Sequence, residues 1–169
     1  METFEAIRTL LAVRAYRDTP IPEDVVREIV EAGRLTASAS NGQPWHFIVV
    51  QDKDTLRQLG ALATTGPYIA QAPLAVVVGI SAGNPYGVSD ASRAIQDMLL
   101  AAWSRGVGGN WVGARNAAAV KPVLGIPDDV DVLAIVPFGY PAQPVGAGKK
   151  QRKPLGEVAS RERFGQPFA

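Results

Sequence analysis

The sequence predicts one domain built on a mixed β-sheet with helices on both faces. Residues 46–51, 74–80 and 130–138 are short apolar runs rich in Val, Ile and Leu, the composition of buried strands. Segments with helical spacing separate them, yet the chain lacks the strict alternation of long parallel βαβ units. A length of 169 residues suits one domain with a real core and is too short for two comfortable ones.

In chain order, Phe4, Ile7 and Leu11 recur at helical spacing with Glu5 and Arg8 off that face, which predicts a short amphipathic helix over residues 2–11, ending near Ala12. Pro22, Glu23 and Asp24 make a good helix start, with proline in the first turn and acids at the positive end of the dipole. Val26, Ile29, Val30 and Gly33 form its expected buried stripe. The strand at 46–51 leads into a helix started by Asp52 or Asp54 and reaching about Ala63, followed by a Gly- and Pro-containing loop over 64–73. Residues 74–80 show no polar alternation, so this strand should be central and covered on both faces.

Residues 89–105 form the longest predicted helix; Ala94, Ile95, Met98, Leu99, Ala101, Ala102 and Trp103 leave it little polar surface, which suits a core or a dimer interface. Gly106, Gly108 and Gly109 stop it. A strand around 110–112, a helical piece over 116–124 that carries Pro122 and ends at Gly125, and the last core strand at 130–138 follow. Beyond Gly139 come a loop, a basic cluster of Lys149, Lys150, Arg152 and Lys153, and a tail containing Phe164 and Phe168.

Lysine and arginine exceed aspartate and glutamate by one charge, so no global field selects nucleic acid or a membrane, and any anion site must be local. The absence of cysteine removes disulfides, thiol nucleophiles and thiolate ligands, and the single histidine, His46, cannot build a zinc site of the usual kind. The longest apolar runs, 74–80 and 98–103, fall well short of a bilayer span, and no basic-then-apolar leader opens the chain. A soluble, cytoplasmic protein is expected.

The most informative stretch is residues 38–50, where Ser38, Ala39, Ser40, Asn41 and Gly42 lead through Gln43, Pro44 and Trp45 into the strand. Small hydroxyl and amide groups delivered at a sheet edge suit a polar, planar ligand, because they offer donors and acceptors without blocking a flat ring. An ordinary connection with Asn-Gly as turn chemistry is the plain alternative. The stretch resembles the signature of the nitroreductase-like family of FMN flavoproteins, in which a Ser-rich turn, an Asn and Gln-Pro-Trp-x-Phe precede the first strand. That resemblance extends along nearly the whole chain. It implies an α+β fold, with a mixed, mainly antiparallel sheet flanked by helices, in an intertwined homodimer whose C-terminal tails, from about residue 149, each reach over the partner.

The resemblance also implies site residues. Arg14 falls where the family places a basic residue against flavin N1 and the C2 carbonyl, where its permanent charge favours the reduced, anionic ring; a surface arginine paired with Asp18 is the alternative. Ser38, Ala39 and Asn41 match positions that touch the flavin from the neighbouring subunit. Val112 and Gly113 match the place where the family uses backbone N–H groups near N5, and glycine permits a close approach of the ring. Lys150 and Arg152 resemble the C-terminal basic element that holds the FMN phosphate; otherwise they belong to a solvated basic patch. The chain departs from the family at the end of the first helix, where two basic residues and a serine that grip the phosphate are replaced by Leu10, Leu11 and Ala12. Arg8 and Arg115 are the candidates to compensate.

Two other signals are set aside. Gly79, Ser81 and Gly83 fit the G-x-S-x-G nucleophile elbow after a strand, but Asn84, Pro85, Tyr86 and Gly87 interrupt the helix the elbow needs, and His46 precedes the serine. Gly106, Gly108 and Gly109 end a helix instead of joining a strand to one, unlike a dinucleotide fingerprint. The expected activity is hydride transfer from NAD(P)H through flavin N5 to an electron-poor acceptor, a nitroaromatic or a quinone, in a ping-pong cycle. The alternative is a weakly active or non-enzymatic member that binds FMN poorly or holds another small ligand in the dimer cleft.

Overall fold

The apolar run predicted to be central is central. In the computed structural model, which describes residues 1–145 and 150–168, β2 (Leu74–Ser81) pairs with β1 (Trp45–Val50) on one side and β5 (Val130–Gly139) on the other. Two short pieces, β3 (Gly108–Gly109) and β4 (Val112–Gly113), pair with the far edge of β5, giving the order β1-β2-β5-β3 with β4 beside β3 on that edge. All these pairings are antiparallel, and the parallel contact is a single bridge between Ala12 and Gly109. The single predicted strand at 110–112 is therefore two pieces, and Val112 and Gly113 lie within β4. Asn110 separates the two, its N–H reaching the Pro137 carbonyl at 3.3 Å.

Both faces of the sheet are covered because successive side chains point to opposite sides. Leu74, Val76 and Val78 of β2 pack with α2 (Glu23–Arg34) and α4 (Gly87–Ser104), while Ala75 and Val77 face the layer of α3 (Lys53–Leu62) and α5 (Ala117–Leu124). The register slips between Val78 and Gly79, so that Val78 opposes Ala134 and Gly79 opposes Val132, leaving Leu133 as the extra residue of a bulge.

Local chemistry sets the helix ends. Asp52 caps α3 by accepting from the Thr55 N–H at 2.8 Å, and Gly125 ends α5 in the left-handed conformation, φ +64. Pro22 precedes α2, whose buried face is Val25, Val26, Ile29 and Gly33; Val30 is only half-buried. At Gly33 the chain approaches α4 so closely that a Cβ would meet Met98 Cε at 2.3 Å.

The first helix, α1 (Thr3–Thr9), is shorter than predicted, and its apolar face does not pack on the sheet: Phe4 is 69% and Ile7 47% exposed, and Ala6 is its buried residue. Periodicity marks an apolar face without saying what covers it, and here α1 lies beside the C-terminal end of α4, held by the Trp103 indole N–H donating to the Thr9 hydroxyl at 2.9 Å. The tail is equally bare. It forms α6 (Leu155–Val158) and a turn closed by a Ser160–Pro167 bridge, with Arg161 over the Phe168 ring, while Leu155, Val158 and Phe164 stay exposed. No helix among the described residues is long and apolar enough to cross a membrane.

Candidate functional site

The predicted site residues fall into two groups at opposite edges of the sheet. The first contains Ser38, Ala39 and Asn41. Ala39–Asn41 is a single 3-10 turn delivered to the start of β1, and Ser40, Asn41 and Gln43 all take positive φ, 49, 55 and 46. Three such residues in one short loop need compensation, since the left-handed region is unfavourable for side chains other than glycine and, to a lesser degree, asparagine. Two bonds supply it: the Ser38 hydroxyl accepts from the Gln43 N–H at 3.0 Å, and the Asp90 carboxylate accepts from the Ala39 N–H at 3.0 Å.

Asp90 braces this loop and was not picked out from the sequence. It lies in the first turn of α4 and is 1% exposed. Burial opposes its ionisation, but the Ala39 N–H, the Arg93 guanidinium and the Ser89 hydroxyl all stabilise the charge, and its carboxyl sits below the ordinary carboxylate range. An acid in the first turn of the longest helix was the available signal, though nothing in the sequence connects it to Ala39.

The second group lies at the other edge. Val13 donates its N–H to the Gly109 carbonyl at 3.0 Å, and Arg17 and Ala142 complete a ladder with Tyr140 and Ala15, so residues 12–17 run as an added edge segment past β3. Arg14 projects from that segment, exposed and with no ion pair or side-chain hydrogen bond among the described residues. The alternative pairing with Asp18 is not formed: Asp18 meets Lys53 at 3.4 Å. Beneath it the Tyr16 hydroxyl donates to the Val13 carbonyl at 2.7 Å, and burial raises its pKa, so Tyr16 braces the segment and releases no proton near neutrality.

Val112 and Gly113 lie on the same edge of β5, opposite Ile135 and Ala134. Val112 is buried against Gly66, where a Cβ would meet Val112 Cγ1 at 2.6 Å. A Cβ on Gly113 would meet nothing within 4 Å, so its backbone is open to a flat ligand. The loop over 64–73 closes onto this edge: Pro67–Gln71 forms a 3-10 turn, and Tyr68 accepts a hydrogen bond from the buried Asn110 amide at 2.5 Å. Asn110 is a second site-bracing residue not picked out from sequence.

Lys150 reaches the same corner, its ammonium donating to the Ile7 carbonyl in the last turns of α1, and partial burial followed by the nearby Arg152 holds its pKa down. Arg152 is exposed and, among the described residues, bonds to the neighbouring Gln151 carbonyl alone. Lys149 lies outside the described residues. Of the two candidates to compensate for Leu10, Leu11 and Ala12, Arg8 is held by both oxygens of Glu5, at 2.8 and 2.7 Å, and Arg115 is exposed beyond β4.

The two groups are not brought together within one chain. Asp90 marks one end of α4 and Trp103 the other, separated by about 20 Å at a rise of about 1.5 Å per residue, and β2 and β5 stand between the two edges. A cleft of about 710 Å³ bordered by Tyr16, Ile21, Gln51, Lys53 and Leu56 contains none of the predicted residues. Ser81, the nucleophile candidate, ends β2 in an exposed turn, and α4 begins only at Gly87.

The chemistry of these groups fits half of an FMN molecule well. The Arg14 guanidinium, an open glycine backbone and a small polar loop suit an isoalloxazine, whereas the corner assigned to the phosphate offers leucines, an alanine and helix carbonyls beside one ammonium, Lys150, that is already hydrogen-bonded. Comparison with known proteins agrees with the fold and the motif. The model of the Nitroreductase family matches residues 8–78 and 64–140. A Methanothermobacter thermautotrophicus protein provisionally named NADH dehydrogenase/NAD(P)H nitroreductase is 32% identical over 154 residues, covering 86% of this chain and 81% of its own. The Bacillus subtilis FMN reductase [NAD(P)H] is 27% identical over 187 residues, covering 96% of this chain and 74% of its own. The solved NADPH:FMN oxidoreductase of Vibrio harveyi in complex with NAD+ superposes with a TM-score of 0.86 at 28% identity, over 96% of this chain and 77% of that one. With a family match across most of its length and sheet, helices and loop in the corresponding arrangement, the chain belongs to the nitroreductase family.

Proposed function

We propose that two copies of this chain form a homodimer with two equivalent flavin sites, each built from the Arg14, Val112 and Gly113 edge of one copy and the Ser38–Asn41 loop of the other. As a member of its family the chain is an NAD(P)H-dependent flavin oxidoreductase. The observation that carries the dimer is the separation of the two groups within one chain, together with the uncovered apolar face of α1 and the uncovered tail. Large apolar side chains left in water on one helix and one tail are a surface that association would bury.

FMN is the proposed cofactor, and when bound it supplies the redox step, taking a hydride from NAD(P)H and passing electrons to an electron-poor acceptor such as a nitroaromatic or quinone, one substrate leaving before the other enters. The chain's own residues bind and orient. Arg14 would place a permanent positive charge beside the pyrimidine edge of the ring, favouring the ring when it carries negative charge. The N–H groups at Val112 and Gly113 would direct donors at the ring's central edge, with Gly66 and the Asn110–Tyr68 bond holding β4 in place. Ser38 and Asn41 would contribute small polar contacts from the partner, held in shape by Asp90. Lys150 and Arg152 would supply the positive charge on the phosphate side.

The test is a spectrum. Protein titrated into FMN should quench the flavin's fluorescence, and the equilibrium mixture should be bleached by NADH or NADPH and restored by a nitroaromatic or quinone faster than free FMN alone. Fluorescence left unquenched, with no bleaching beyond that of free FMN, would favour the second reading, a non-enzymatic member holding another ligand. Cellular location is proposed to be the cytoplasm.

A further inference from the structure

Which part of a flavin this site reads is set by where its cations are already committed. With the ring placed at Arg14 and Gly113 as proposed, the phosphate is assigned to the positions of Leu10, Leu11 and Ala12, at the end of α1 whose Ile7 carbonyl Lys150 meets. Among the described residues, the neighbouring positions are unhelpful to an anion. Leu10, Leu11 and Ala12 have no side-chain donor; α1 ends in that corner with carbonyls, the partially negative end of a helix. Arg8 is engaged by both oxygens of Glu5, and Arg17 donates to the Pro141 carbonyl at 2.9 Å. Lys150 itself donates to the Ile7 carbonyl, so a phosphate would share its ammonium with that bond. Arg152 is exposed, where ion pairs are weak.

We infer that the flavin site of this chain recognises the isoalloxazine and takes little from the phosphate, so that riboflavin is a ligand nearly as good as FMN. The inference rests on the proposal that the site takes a flavin at all. Each exposed ion pair shifts an equilibrium by roughly threefold, so Lys150 and Arg152 together leave FMN favoured by about tenfold. The ligand class is therefore any flavin with a free ring, phosphorylated or not, exchanging with solution instead of being retained by its charged end.

The experiment is a pair of fluorescence-quenching titrations of the purified full-length protein, one with FMN and one with riboflavin, at low and at high salt. Dissociation constants within about tenfold of each other at low salt, converging further at high salt, support the inference. FMN binding more than about tenfold tighter than riboflavin overturns it while leaving the flavin proposal standing. Failure of both flavins to bind overturns both. A second variant pair gives an independent answer: Leu11→Arg with Ala12→Ser, at a half-buried and an exposed position, should tighten FMN at least about tenfold and leave riboflavin unchanged, since charge-assisted bonds are the stronger kind. No gain for FMN in the correctly folded variant would place the phosphate elsewhere and overturn the inference.

Discussion

The carboxylate of Asp90 accepts the backbone N–H of Ala39 at 3.0 Å and so ties the first turn of α4 to the loop that carries Ser38 and Asn41. Because the carboxyl is held below its ordinary range, the sign of the pH effect is defined. A depressed folded-state pKa contributes stability that is present above the unfolded value, about 3.9, and lost as pH falls through the folded value. Asp90→Asn should therefore lower the urea midpoint at pH 7, and the gap to the parent should close below about pH 4. A gap unchanged at pH 3 would show that the charge is not what matters.

Gly108 touches Val13 so closely that a Cβ would lie 2.2 Å from Val13 Cγ2 and 2.7 Å from Val13 Cβ, and a β-branched neighbour has no flexible end to move aside. Gly108→Ala should cost about 1–3 kcal/mol of stability by overpacking. It should also weaken flavin binding, since the displaced segment carries Arg14. Thermal unfolding and fluorescence quenching measured on the same sample separate the two effects.

Gly113 gives the opposite outcome. With nothing within 4 Å of a Cβ, Gly113→Ala should leave stability unchanged to within about 0.5 kcal/mol. A methyl group on the open backbone would nonetheless hold a flat ring away, so both FMN and riboflavin should bind more weakly. Wild-type affinity in this variant would remove β4 from the site.

Arg14 has no ion-pair or side-chain hydrogen-bond partner to lose among the described residues, so Arg14→Gln should leave the unfolding midpoint near the parent value. Loss of one charge-assisted bond amounts to about 1.5–3 kcal/mol, roughly a ten- to hundredfold rise in the flavin dissociation constant. Equal binding by the two proteins would assign Arg14 to the surface.

Phe4 is largely exposed on α1 and Ile7 about half, so charging them in a monomer would cost little beyond the part of Ile7 that is covered. If the pair is covered by a second copy, Phe4→Glu with Ile7→Glu should halve the mass measured by light scattering. The same variant should lose flavin, because the Ser38–Asn41 loop then has no neighbouring edge to complete. A parent protein that is itself monomeric would remove the premise.

Local signals were enough for much of this molecule. The central position of β2 followed from seven consecutive residues without polar alternation, the start of α3 from Asp52, and the end of α5 from Gly125, because each is decided by contacts within a few residues. The motif at 38–50 and the family it belongs to were legible as a pattern. Tertiary structure alone decided the rest. It turned Phe4 and Ile7 outward, broke one expected strand at Asn110, recruited Asp90 to a loop far away in the chain, and set the two groups of the proposed flavin site at opposite edges of the sheet. Spacing specifies which side chains share a face. What that face meets depends on how distant segments pack, and that information is carried by no single stretch of sequence.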